Sequence, residues 1–164
     1  MLLCCGCATA SKPTAMVADV VQVEHRNAAS VAVTVTGGAD TSSMGASNIS
    51  NDDFAAAIRD SIEKSGVFAS IATAGAGEYQ INAQIVRLDR PILGFSFTVT
   101  MEVTWRLLWT SSQEVVWEKS VTSSFTATTG DAFVGVTRLR LANEGAARAN
   151  IKDAITQLGS LTLQ

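Results

Sequence analysis

Three cysteines, Cys4, Cys5 and Cys7, are the residues of this chain best equipped for chemistry, and all lie in the opening stretch MLLCCGCATASKP. Such a cluster can bind a metal, form a disulfide or carry a covalent modification. A zinc site needs further ligands, yet no other cysteine follows and the sole histidine is His25. Neighbouring Cys4 and Cys5 make a poor bridge, and an odd count leaves one thiol over. The surroundings suit modification better. Leu2 and Leu3 read as the end of an apolar segment, followed by small residues and Gly6-Cys7.

This stretch resembles the lipobox of bacterial lipoproteins, in which a cysteine after glycine or alanine is diacylated and becomes the mature N-terminus. Cys4 stands where that family usually has leucine, and no charged region precedes it, so the true start is expected upstream. Cys7 is the expected lipidated residue. Cys5, with Leu2 three positions before it, is the runner-up. By the same resemblance, the neutral Ala8 implies sorting to the outer membrane of a Gram-negative cell, with the domain on the periplasmic face. A diacylglyceryl group plus an amide-linked chain anchors firmly where one chain would not. Residues 1–6 are then a residual signal peptide, and 7–16 the lipidated cysteine with a flexible tether of small and polar residues. Residues 17–164 form a single domain. No cofactor beyond the covalent lipid and no metal is expected.

The other reactive groups read as structural. No base stands near a nucleophile and no GxSxG occurs, so Ser/His or Cys/His catalysis is not indicated. Asp52 and Asp53 suit the first turn of a helix better than a carboxylate pair. Asp89, between Arg87 and Arg90, reads as a solvated strand end. GAGE at 75–78 lacks the lysine and helix of a phosphate loop. Trp105, Trp109 and Trp117 fit cross-strand packing better than a sugar platform. With 47% hydrophobic and 16% charged residues, a net charge of −3 and twelve scattered Lys and Arg, the 164-residue chain is a globular domain without the basic patch that nucleic acids require. No apolar run is long enough to span a bilayer.

The elements that must position these groups follow from periodicity. SVAVTVTGG (30–38) alternates as a strand, and VADVVQVEH (17–25) reads as a further one. NDDFAAAIRDSIEKSG (51–66) is a helix capped by Ser50 or Asn51 and stopped by Gly66. VFASIA (67–72) and EYQINAQIVRLDR (78–90) are strands, the second ended by Pro91. From 95 to 109 the odd positions are Phe, Phe, Val, Met, Val, Trp, Leu and Trp, predicting a long strand with those side chains on one buried face. Residues 115–128 return as its hairpin partner. A final helix over 138–158 buries Ala147, Ile151, Ile155 or Ala154, and Leu158. Gly145 inside it implies close approach to the sheet. The fold class is α+β, an antiparallel or mixed sheet of four or five strands with two helices on one face.

This order resembles the small α+β domains of Gram-negative outer-membrane lipoproteins, among them the lipopolysaccharide-assembly lipoprotein, penicillin-binding-protein activators and transport-auxiliary lipoproteins. The stretch GDAFVGVTRLRLANEGAARANI (130–151) resembles the tail of uncharacterised proteobacterial lipoproteins. The resemblance implies a membrane-anchored, non-catalytic binding or scaffolding component of envelope assembly or transport, with the membrane and an envelope protein as partners. The alternatives are a small-ligand, lipid-like carrier with a hollow lined by residues such as Phe97, Val99 and Trp105, and a hydrolase with an unrecognised carboxylate site. Phe133, Val134 and Val136 form the candidate partner-binding patch. They either fold down onto the sheet or stay exposed as a docking surface. The Ser- and Thr-rich face of the long strand is the second candidate surface.

Overall fold

The computed structural model describes residues 9–19, 21–41, 47–91 and 93–163. The three cysteines lie outside them. Within them the predicted alternation becomes a five-stranded mixed sheet: β1 (Asn27–Thr36), β2 (Phe68–Ile71), β3 (Tyr79–Asp89), β4 (Phe97–Trp109) and β5 (Val115–Ala127). The spatial order is β2-β1-β3-β4-β5. β1 runs parallel to both β2 and β3, and β3, β4 and β5 form an antiparallel meander. Three helices accompany the sheet: α1 (Pro13–Met16), α2 (Asn51–Ser65) and α3 (Gly135–Leu158).

The β1–α2–β2 unit supplies the parallel pairing, because parallel neighbours need a crossover connection. Ser50 caps α2, its hydroxyl accepting from the Asp53 amide at 3.1 Å. Gly66 ends the helix at φ 65°, a conformation that costs glycine nothing, and its amide donates to the Ile62 carbonyl. β2 pairs with the first half of β1 and β3 with the second half, on opposite edges. Residues 72–78 therefore cross the chain at Ser30, whose amide donates to the Glu78 carboxylate at 2.9 Å.

One face of the sheet carries the core. In β4, Phe97, Val99, Met101, Val103, Trp105 and Leu107 are all buried, as the odd-position pattern requires. α3 lies against β4 and β5, and α2 against β1, with the Phe54 ring of α2 set 6.1 Å from Trp105. The stripe Ala147, Ile151, Ala154, Ile155 and Leu158 is buried as expected. α3 begins three residues earlier than the periodicity indicates. Its inner side is built of small residues (Ala142, Gly145, Ala146), which let it approach the sheet closely.

Two expectations need correction. Residues 17–19 and 21–26 form no strand. Val17, Ala18 and Val21 are buried instead in the helical layer, where the Ala18 amide donates to Ser61 Oγ at 2.9 Å. The edge of β1 that such a strand would need is occupied by β2. The segment expected as a flexible tether is also ordered from Ser11 onward. The Ser11 amide bonds the Asn48 carbonyl, Lys12 N donates to Glu144 Oε1 at 2.9 Å, and Met16 is fully buried. Alternation missed this docking because its partners are more than thirty residues away. A third helix, α1, is the result.

An ideal Cβ on Gly145 would stand 2.2 Å from Cγ of Phe125, far inside van der Waals contact. Gly145→Ala is therefore expected to destabilise the fold by about 1–3 kcal/mol despite its better helix propensity, since the ring root cannot simply swing away. Combining it with Phe125→Ala should recover most of that loss, measured as a double-mutant cycle by denaturant unfolding.

Candidate functional site

Glycine and proline punctuate two connections at the same end of the sheet. One joins β3 to β4, the other β5 to α3. In the second, Asp131 Oδ2 accepts from both the amide and the hydroxyl of Thr128, at 2.7 and 2.9 Å, folding residues 128–131 into a tight turn. These bonds hold the Asp131 carboxyl below the usual carboxylate range, the amide bond contributing most. The chain then presents Phe133 and Val134 before α3 begins at Gly135.

Arg138 ties the two connections together. Buried one turn into α3, it donates through Nη1 to the carbonyls of Ala132 and Phe133, at 2.9 and 3.2 Å, and through Nη2 to that of Gly94 at 3.0 Å. Its guanidinium lies 4.8 Å from the centroid of the Phe97 ring, whose face suits a cation. The backbones of both loops are thereby fixed while their apolar side chains face solvent. Phe133 is 91% exposed, Phe95 89% and Leu93 88%, with Val134 more than half exposed.

Of the two readings open for the sequence-predicted patch, Phe133 and Val134 take the exposed one, whereas Val136 is only partly exposed on the first turn of α3. The long-strand pattern put Phe95 on the buried face. It is solvent-exposed instead, because β4 starts at Phe97 and the cover provided by α3 stops there. Sequence reasoning missed Leu93 and Phe95 as members of this surface. The available signal was the apolar run ILGF between Pro91 and the strand, interrupted by Gly94, similar to FV between the glycines of GDAFVGV.

Among the described residues no helix covers the opposite face of the sheet. There Thr34, Asn82, Arg106 and Glu118 form a row across four strands by register. Thr34 Oγ1 donates to Asn82 Oδ1 at 2.6 Å, and Arg106 Nε to Glu118 Oε2 at 2.8 Å. Thr36, Gln84 and Thr104 continue the polar surface along a shallow hollow of about 230 Å³. The groups considered for catalysis lie elsewhere and are engaged structurally. Asp53 accepts from the Ser50 hydroxyl at 2.7 Å, and Asp89 pairs with Arg87 at 3.2 Å on the exposed strand end. Arg90 turns away, donating to the Ser47 carbonyl at 2.6 Å and to Asn48 Oδ1. His25 is exposed at the far end of the domain, its amide bonded to the Gly159 carbonyl. Among the described residues no group of His, Cys, Asp and Glu side chains is placed to hold a metal ion. Trp105 is buried, and Trp109 stacks on Tyr79 with centroids 4.3 Å apart.

No protein-family model matches the chain, and no curated protein does. Solved structures share its fold. A Xanthomonas campestris protein assigned to the DUF330 family model superposes with a TM-score of 0.67 at 15% identity, covering 92% of this chain and 94% of that one. The PelC dodecamer subunit of Paraburkholderia phytofirmans gives 0.53 at 14% identity, covering 88% and 96%. A minor lipoprotein of Acinetobacter baumannii gives 0.54 at 10% identity, covering 80% and 92%. At these identities the likeness is one of fold.

Because the carboxyl of Asp131 is depressed, its brace on Thr128 is complete above the ordinary Asp range and is lost as pH falls through the lowered value. The Thr128 amide resonance is expected to titrate below the pH at which a free aspartate does. In Asp131→Asn that inflection should vanish, which an NMR pH titration would read directly.

Proposed function

We propose that this chain is a membrane-anchored lipoprotein whose domain binds or scaffolds other envelope components without catalysis. The observation that carries the reading is the pair of braced loops. Apolar side chains held almost fully in water by a buried arginine contribute nothing to the core, and so are explained by something that docks on them. Three further points support it. Cys7 follows a glycine in a lipobox-like context. The fold is one that a minor lipoprotein of A. baumannii also uses. And the polar sheet face is left open for a second partner.

On this reading Cys7 carries the lipid, and Ala8 after it directs the protein to the outer membrane with the domain in the periplasm. Its role lies in envelope assembly or transport, alongside a protein partner. The carrier alternative is not favoured: Phe97, Val99 and Trp105, which would line its hollow, are packed into the core.

Mass spectrometry of the N-terminal peptide from membrane-extracted protein tests the anchor. A diacyl or triacyl mass on Cys7 is expected, and Cys7→Ser should move the protein from the membrane to the soluble fraction. An unmodified Cys7 in material that stays membrane-bound would sink the anchor at this residue and turn attention to Cys5.

A further inference from the structure

The chain enters the fold at Ser11, and the bonds around that point locate the entry. Ser11 N reaches the carbonyl of Asn48, whose side chain in turn accepts from Arg90, three residues before Leu93. Lys12 then contacts Glu144 of α3, Arg148 of α3 reaches the Ala15 carbonyl, and His25 meets Gly159 at the helix end. Residues 11–19 and 21–25 thus run alongside α3 and parallel to it, starting toward the end that holds Phe95 and Phe133. The turn between β4 and β5 lies at the other end, where the Thr110 amide bonds the Glu78 carbonyl.

Lengths then decide which end meets the membrane. Glu144 lies roughly 13 Å along α3 from Gly135 at the ordinary helical rise. Only three residues separate Cys7 from Ser11, four Cα-to-Cα steps with a reach of about 14 Å when fully extended. β4 and its turn carry the opposite end about 40 Å away at the usual strand rise. A lipid on Cys7 can therefore bring the loop end to the bilayer but not the turn at Ser112.

We infer that Leu93, Phe95, Phe133 and Val134 insert into the bilayer surface beside the lipidated Cys7, so that the domain stands on the membrane with its polar sheet face turned along it. This rests on the lipoprotein reading and adds a second, non-covalent contact to the anchor. Side chains of this kind sit at the headgroup–acyl boundary, where aromatic rings are favoured. The occupant is lipid rather than a protein partner because the short tether holds the patch against the bilayer, with little room for a protein between. The arginines near this end are engaged within the domain, Arg87 with Asp89, Arg90 with Asn48, Arg138 with the loop carbonyls and Arg140 with Glu144, so the contact is chiefly apolar and only weakly sensitive to salt.

The test is photo-crosslinking in cells with the full-length protein, replacing Phe133 by the photoreactive p-benzoylphenylalanine and, in a control, Ser112. Both positions are exposed, so neither replacement threatens folding. With an acyl mass present on Cys7, position 133 is expected to give phospholipid adducts by mass spectrometry and position 112 none. Adding Phe95→Ser should reduce the lipid adduct at 133 while the protein stays anchored. A discrete protein adduct at 133 without lipid, or equal absence of lipid at both positions, would overturn the inference and leave the anchor standing. Absence of the acyl mass would remove the anchor, and this inference with it.

Discussion

Asn150 is fully buried on the inner side of α3, and its amide is saturated by the sheet. Nδ2 donates to the Val121 carbonyl at 2.8 Å and to Ser123 Oγ at 3.1 Å, while Oδ1 accepts from the Trp105 indole at 2.9 Å. A polar side chain in such surroundings is costly unless every group finds a partner. Here the partners come from both β4 and β5, so the satisfied state exists at one rotation and one translation of the helix. Ser123 Oγ adds a bond back to the Ala146 carbonyl at 2.8 Å. Gly145 lies flat on Phe125, and the surrounding alanines close the remaining distance.

The fixed register of α3 propagates to both of its ends. At its start it places Arg138 where the guanidinium reaches both loops, with the Phe97 ring beneath it. In its middle it presents Glu144, which accepts from Lys12 N and from Arg140 Nη1 at 2.7 Å. The carboxylate is nearly buried, so the incoming chain is held by a charge-assisted bond that water screens little. One helix therefore sets the spacing between the apolar loops and the place where the N-terminal segment leaves the domain. Any tether attached there inherits that geometry.

The two exposed surfaces differ in kind. The loop tips are apolar, few and rigidly held, suited to a soft apolar phase. The sheet face is broad and polar, with its side chains largely satisfied by one another across strands, as in the Thr34–Asn82 and Arg106–Glu118 pairs. Such a face has little drive to bury itself, and a partner on it would have to offer matching polar groups.

Much of this was legible in the sequence. Alternation along β4 named the residues buried from Phe97 to Leu107, because a half-covered sheet forces a period of two on its strands. Ser50 and Gly66 bounded α2 through local capping chemistry, and Gly145 announced a close helix–sheet contact. The lipobox-like cysteines, a purely covalent signal, suggested an anchor. What the sequence left open depended on distant partners. VADVVQVEH (17–25) has the apolarity of a strand, yet the edge it needed had been taken by β2. Phe95 continues the alternation of β4, yet the helix that would cover it begins too low. Asn150 and Glu144 look like surface residues until β4, β5 and the N-terminal segment arrive to satisfy them. Local pattern fixes which way a side chain points within its own element. Whether anything lies in that direction is decided only when the other elements pack.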